Sequence, residues 1–255
     1  MRQNVVFDVD GTICFDGRSI PTAITEALRD LRARHRPVFA SARPIRDLLP
    51  VLPPEFHDET LIGGNGAFSR DRGTLRVLGI AHEDRLVLDG IIDRYGLKVL
   101  IDGDWDYCYT GDEAHRIFRQ LDAGRLASNV PREQIAQYSK AVVFTTDPEV
   151  LRRLGETRLS LNVHPDEGIV DIAPSGITKH HALGRLGLAD RGYIAFGNDA
   201  NDERMLRHAK VSYRVGTHPA LAFADHHLTP DTVHQAIRDL ARPPGPGAER
   251  SIRGR

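Results

Sequence analysis

The feature that most narrows what this chain can become lies at its start. Val5-Val6-Phe7, a short apolar run, breaks off into Asp8-Val9-Asp10-Gly11-Thr12. A brief apolar run closed by a polar loop suits a parallel strand buried on both faces. In an open α/β sheet the carboxyl ends of the strands face the ligand crevice. Two carboxylates leaving such an end can serve one metal ion and one reaction centre. Gly11 lets the backbone turn sharply and present N–H groups to an anion. The same string also suits a plain Asp-Gly turn with a solvated neighbour, so other parts of the chain have to agree.

The residues that follow repeat one grammar. Ile24, Ala27, Leu28 and Leu31 recur with the spacing of an amphipathic helix, and Pro21 stands near its start, where a missing N–H is harmless. Val38-Phe39-Ala40 reads as a second strand, Ile45 to Leu49 as a helix opened by Pro44, and Leu61-Ile62 as a third strand running into Gly63-Gly64-Asn65-Gly66. Strand alternating with helix predicts a doubly wound, Rossmann-like parallel sheet. The grammar returns late: a strand at 193–196, a helix near 202–209, a strand at 211–215, and a closing helix at 231–241 carrying Val233, Ile237 and Leu240 on one face.

Between these halves the pattern changes. Strands are predicted at 98–101, 107–109, 141–145 and 159–163, with helices near 84–94, 113–122 and 147–154. This reads as an α+β module inserted into the main sheet. The expected organisation is a core of residues 1–78 and 175–242, an insert of residues 79–174, and a Pro-, Gly- and Arg-rich tail, 243–255, expected to be disordered. A length of 255 residues suits one main domain plus one such module.

Composition removes several classes. A net charge of -1 is no basis for general binding to nucleic acid or a membrane surface. Two cysteines, Cys14 and Cys108, form no metal-ligand spacing and no disulfide framework. No apolar stretch approaches the roughly 20 residues that span a bilayer, and the first residues lack the apolar core of a signal peptide. A cytoplasmic location and a monomer are the default expectations.

Further chemistry stands at the ends of the other strands. Ser41 closes the second strand just before a helix, where a hydroxyl and free N–H groups can cradle phosphate, although an ordinary N-cap serine would look the same. Lys179, in Gly176-Ile177-Thr178-Lys179, offers a compact ammonium for a phosphate oxygen. The stretch Gly197-Asn198-Asp199-Ala200-Asn201-Asp202 follows the strongest late strand, and its oxygen-bearing side chains suit a hard cation such as Mg²⁺.

In this order and spacing the four parts resemble the haloacid dehalogenase-like (HAD) hydrolase superfamily. The likeness is greatest to its Cof-type branch, subfamily IIB, with an inserted cap of the C2B type. Ser41-Ala42-Arg43-Pro44 resembles the family's S/T-G-R motif, residues 63–67 its NGA loop, and residues 171–183 the region around its lysine. Ala42 stands where glycine is usual, and Asn198 stands where the fourth motif, G-D-x-x-N-D, has its first aspartate.

The resemblance implies a Mg²⁺-dependent phosphatase acting on a small phosphorylated metabolite. Asp8 is the expected nucleophile and Asp10 the acid and base, with Lys179 as the third catalytic group. Gly11, Thr12, Ser41, Ala42, Arg43, Asn65 and Asn201 are the expected phosphate- and substrate-binding residues. Asp8, Asp10, Asn198 and Asp202 are the expected metal ligands, with Asp199 an alternative to Asp202. In the insert, Asp102 to Tyr107 mixes carboxylates with aromatics in a way that suits sugar hydroxyls, or a solvated hairpin with a core tryptophan. His164 and Asp166 are equally open. A sugar phosphomutase, or a degenerate member that only binds a phosphorylated ligand, are the competing readings.

Overall fold

The computed structural model describes residues 2–243; the tail expectation beyond Pro243 therefore lies outside the described residues. Strand β1 (Asn4–Asp8) is followed by α1 (Thr22–Arg32), β2 (Arg36–Ala40), α2 (Ile45–Leu48), β3 (Thr60–Gly63) and a hairpin of β4 (Phe68–Asp71) and β5 (Thr74–Val77). The insert contributes α3 (His82–Tyr95), β6 (Val99–Asp102), β7 (Tyr107–Tyr109), α4 (Arg116–Gln120), β8 (Lys140–Val143), α5 (Pro148–Gly155), β9 (Ser160–His164) and β10 (Ile169–Ala173). The chain then returns with α6 (Lys179–Arg185), β11 (Tyr193–Gly197), α7 (Glu203–Arg207), β12 (Val211–Val215), β13 (His226–Leu228) and α8 (Val233–Ala241).

The core sheet has eight strands in the order β13-β12-β11-β1-β2-β3-β4-β5. Pairing is parallel from β13 to β3 and antiparallel at the β4–β5 edge. Because side chains alternate along a strand, β1 serves both faces. Val5 and Phe7 pack with α1, α2 and α8, while Val6 packs on the opposite face with α6 and α7. Phe7 stacks on Phe196 of β11 at 4.9 Å between ring centroids and on Phe39 of β2 at 6.2 Å. The apolar stripe of α1 buries Ile24, Ala27, Leu28 and Leu31; each fully buried leucine is worth about 1.5–3 kcal/mol.

The insert forms a five-stranded antiparallel sheet in the order β7-β6-β8-β10-β9. One face, with Val99, Ile101, Ala141, Val143, Val170 and Ile172, is covered by α3 and α5. The other face carries Leu100, Val142 and Ile169 beside α4. On that same face, by the alternation, lie the polar residues Asp102, Lys140 and Asp171. The architecture is the α/β core with an inserted α+β cap.

Five elements escaped the sequence reading: β4, β5, α6, β10 and β13. The β4–β5 hairpin turns at Arg72 and Gly73, both at positive φ, without the Asn-Gly or Asp-Gly pair that marks such turns. Strand β10 carries apolar residues on both faces, Val170 and Ile172 on one and Ile169 on the other, and overlaps the lysine motif that follows it. Strand β13 is only three residues long, His226-His227-Leu228, with both histidines exposed.

Candidate active site

The carboxyl ends of β1, β2, β3 and β11 converge, and the four sequence motifs converge with them. Asp8, the last residue of β1, is buried, and its Oδ2 accepts from the Thr12 hydroxyl at 2.7 Å. The intervening loop is held by Gly11 N–H donating to the Cys14 carbonyl at 2.8 Å. Gly11 has φ +80, and a Cβ there would meet Asn198 Nδ2 at 2.2 Å. Only glycine permits both the turn and the close approach of the late loop.

Lys179 begins α6, whose N-cap is the Thr178 hydroxyl. Its ammonium is fully buried and donates to Asp8 Oδ1 at 2.5 Å and to Asp202 Oδ1 at 2.7 Å. Burial alone would push the lysine down, but Asp202 and Asp8 outweigh it and hold the ammonium above its usual range. Burial, and then the Asp202 carboxylate, push the Asp8 carboxyl up to about 7 against the pull of Lys179. Two carboxylates thus share one ammonium, leaving surplus negative charge in a pocket screened from water.

Asp202 was expected to bind the metal, but both of its oxygens are engaged. Oδ1 takes Lys179, and Oδ2 takes the main-chain N–H groups of Asn198 and Asp199 at 3.0 and 3.2 Å. Its carboxylate braces the loop. Asp199 caps the turn that begins at Ala200, and its side chain is exposed.

Ser41 is buried at the end of β2, its hydroxyl accepting from Arg43 N–H at 3.0 Å; Ala42 follows it at the lip of a cavity. Arg43 clamps Asp10 with both arms of its guanidinium, at 2.8 and 2.6 Å, and donates to the Gly17 carbonyl at 2.9 Å. Asn65 has φ +55 in the glycine loop, and its side-chain oxygen lies 3.4 Å from Asn201 Nδ2. A Cβ on Gly66 would lie 2.4 Å from the Thr178 carbonyl, so this loop rests directly on the start of α6.

A cavity of about 420 Å³ lies between these loops and the cap sheet, bordered by Asp10, Arg43, Asp47, Lys140, His164 and Asp171 among others. Of the cap candidates, His164 borders it and Asp166 does not. Asp102 also touches it, but is buried and ion-paired with Arg46 Nη2 at 2.6 Å, so it is not free to receive hydroxyls. The Trp105 ring packs against the core domain's apolar cluster and donates to the Leu126 carbonyl at 2.6 Å. Arg46, Asp47, Lys140 and Asp171 were missed. For Lys140 and Asp171 the available signal was a charge at an alternating position in the otherwise apolar strands β8 and β10; Arg46 and Asp47 lie on the short helix α2 and carried no such signal.

Mg²⁺ prefers hard oxygen donors. Among the described residues no three His, Cys, Asp or Glu side chains form a metal cage, so any site here must be mixed. The Asn198 amide supplies the test. With Nδ2 turned inward it donates to Asp8 Oδ2 at 2.9 Å, the Asp10 carbonyl at 3.0 Å and Thr12 Oγ1 at 3.1 Å. With Oδ1 turned inward, the Asp8 carboxylate, the Asp10 carbonyl and the Asn198 oxygen all face one another. That arrangement needs a cation among them. The donor set and the surplus charge fit Mg²⁺, with one carboxylate fewer than the G-D-x-x-N-D pattern provides.

Fold and site together define a doubly wound α/β core with a cap over carboxylates at the strand ends. A family model described as haloacid dehalogenase-like hydrolase matches residues 5–238, and the chain belongs to that family. No curated protein sequence matches it. Among solved structures, the HAD subclass IIB sugar phosphatase BT4131 aligns with a TM-score of 0.72 at 20% identity, covering 93% of this chain and 98% of that one. BT1666 from Bacteroides thetaiotaomicron, described as a HAD phosphatase, aligns at 0.74 and 18% identity, covering 94% and 95%. TM0651 from Thermotoga maritima aligns at 0.77 and 18% identity, covering 96% and 98%. The shared fold is that of subclass IIB. Among the described residues no helix is long and apolar enough to cross a membrane.

Proposed function

We propose that this protein is a Mg²⁺-dependent phosphatase that hydrolyses a small phosphate monoester, a sugar phosphate, through an aspartyl-phosphate on Asp8. The observation that carries the reading is the buried Lys179 ammonium gripping Asp8 and Asp202 at once; Asp8 stands two residues along the chain from Asp10, which borders the cavity. Mg²⁺ would be held by the Asp8 carboxylate, the Asp10 carbonyl and the Asn198 oxygen, and would offset the repulsion between carboxylate and phosphate dianion.

The Asp8 carboxylate attacks phosphorus as the bond to the leaving oxygen breaks, and Asp10 gives that oxygen a proton. Asp10 then takes a proton from the water that cleaves the acyl phosphate. Lys179, the Ser41 hydroxyl, Asn201 and the Ala42 N–H hold the phosphoryl oxygens as charge develops; the Gly11 and Thr12 N–H groups, expected to bind phosphate, are instead spent inside the loop on the Cys14 and Val9 carbonyls at 2.8 and 3.2 Å. Arg43 clamps Asp10 in the free protein; an arriving phosphate competes for the guanidinium and frees Asp10 for proton transfer. The cap of residues 79–174 excludes water and selects the leaving group.

The test is inorganic phosphate release from a panel of phosphate esters with Mg²⁺ and with a chelator. Release that requires Mg²⁺ supports the reading. Isomer interconversion without release would replace it with a phosphomutase. Asn198 favours one second reading, a member that binds phosphorylated ligand without turnover; ligand binding with no release from any ester would establish it.

Asn198 also makes a prediction. Asn198→Asp adds a third carboxylate beside Asp8 and Asp202, so Mg²⁺ affinity measured by calorimetry rises on the order of 10–100-fold, while the melting temperature in chelator falls. Unchanged Mg²⁺ affinity would remove Asn198 from the metal site.

A further inference from the structure

The pole of the core domain opposite the phosphoryl site holds a second cavity, of about 870 Å³. It lies at the amino ends of β1 and β2, where Asn4 and Arg36 stand in register with each other. Because side chains alternate along a strand, both share the sheet face that buries Val6, Val38 and Ala40 against α6 and α7. The loop between α6 and β11 and the β4–β5 turn complete the wall. Asn4 opens β1 and Asp8 ends it, so roughly 13 Å of strand separates this cavity from the nucleophile.

Five cations border it, Arg2, Arg36, Arg72, Arg191 and Lys210, against one carboxylate, Asp71. Arg36 takes that carboxylate at 2.5 Å, and Arg72 approaches it only to 4.0 Å. Arg2, Arg191 and Lys210 have no carboxylate partner among the described residues. The whole chain has a net charge of -1, so this excess is local, and a concave wall of one sign focuses its field on the space it encloses. A Cβ on Gly192 would meet Lys210 Cε at 2.2 Å; the lysine stem therefore lies directly on the backbone there. A neutral group in the same wall asks for a ligand independently of the charges. Asn4 is 7% exposed and borders the cavity, yet its amide has no hydrogen-bond partner among the described residues. Buried amides are ordinarily satisfied, and this one brings two N–H donors. Amide donors beside guanidinium forks and an ammonium suit phosphate oxygens.

We propose that this cavity is a second anion site, separate from the catalytic one, and that it takes a chain of linked phosphates. A lone phosphate answers only part of the cluster, whereas a linked chain brings charge to match it. Such a chain could be inorganic polyphosphate or the triphosphate of a nucleotide; no Phe, Tyr or Trp borders the cavity, so a base has no ring to stack on and the chain carries the recognition. The cations surround a concave space instead of running in a stripe, the footprint expected for nucleic acid. The site stands independently of the phosphatase reading.

The experiment is calorimetric titration with inorganic tripolyphosphate in metal-free buffer at pH 8. Asp8, whose carboxyl titrates at about 7, is then ionised, and the surplus carboxylate charge around it repels anions from the catalytic site. Wild type is expected to bind one equivalent, about tenfold or more tighter than orthophosphate, with affinity falling as salt rises. Arg191→Glu combined with Lys210→Glu, both exposed positions, should weaken binding by about thirtyfold or more. The same variant should release phosphate from esters within about twofold of wild type, because the sites are distant. Asn4→Leu should weaken binding by about fivefold without lowering the melting temperature, since its amide has no protein partner to lose. ATP held no more tightly than tripolyphosphate assigns the site to inorganic chains, and tighter ATP assigns it to a nucleotide; the charge reversal removes binding in both cases. Absent tripolyphosphate binding, binding untouched by the charge reversal, or a thymidine oligonucleotide held more tightly than tripolyphosphate overturns the proposal. If the charge-reversed protein does not fold, Asn4→Leu decides, and unchanged affinity there overturns it. Failure to hydrolyse any ester would remove the phosphatase reading and leave this titration fully readable.

Discussion

Asp8→Asn is expected to lower phosphate release by on the order of 10⁴-fold or more, the scale of losing a covalent nucleophile, without unfolding the protein. The amide has the shape of the carboxylate: its one oxygen can still accept from Lys179 while its Nδ2 donates to the Thr12 hydroxyl, but that oxygen is too weak a nucleophile to attack phosphorus. The same variant carries a pH signature in chelator. The folded Asp8 carboxyl titrates near 7 against 3.8 as its ordinary value, so folding favours its protonated form. Its contribution to stability is fully present below 3.8 and is lost as pH rises to about 7. Wild type should therefore lose up to a few kcal/mol across that interval that Asp8→Asn does not lose. Thermal melts of both proteins between pH 4 and pH 8 measure the difference. Near-wild-type turnover by Asp8→Asn would refute the nucleophile.

The second large effect is structural and lies at the seam between core and cap. Arg46 projects from α2 of the core, is 2% exposed, and reaches the cap residue Asp102 at 2.6 Å and the Trp105 carbonyl at 2.7 Å. Its guanidinium lies 4.8 Å from the centre of the Tyr107 ring, and its own neighbour Asp47 accepts the N–H of Asp122 from the cap. Arg46→Met leaves Asp102 buried and unpaired, which costs about 3–5 kcal/mol and lowers the melting temperature by roughly 10 °C. Adding Asp102→Leu should return much of that loss, because removing both charges of a buried pair is far less harmful than removing one. Trp105 is the only tryptophan in the chain and sits in this seam, so its emission should shift to the red in Arg46→Met if the cap loosens. An unshifted spectrum and an unchanged melt would show that the ion pair does not hold the cap.

Much of this arrangement was legible before any coordinates. Buried parallel strands write themselves as apolar runs, so β1, β2 and β11 could be placed to within a residue or two, and α1 declared itself through its stripe. Strands that lie at an edge or mix polar and apolar residues carry a weaker signature. For that reason β4, β5 and β13 were invisible, and β10, apolar on both faces apart from Asp171, was hidden beneath the motif next to it. Most of the site residues in the core were readable because they follow a strand end, where ligands bind in a doubly wound sheet; Lys179, at the start of α6, was readable only from its motif.

The amino-acid sequence by itself determined the doubly wound core, the inserted cap and the polar groups carried to the strand ends, because period and strand-end position are local properties. Tertiary structure alone decided the partners. It turned Asp202 toward Lys179 and the loop amides, closed Arg43 on Asp10, and set Lys140 beside Asp171 with one oxygen unmet. It also placed the Asn198 amide between Asp8 and the Asp10 carbonyl. Apart from the loop amides, these pairs join residues from 23 to 190 positions apart, and no local pattern encodes which of several available charges a side chain meets once water is excluded.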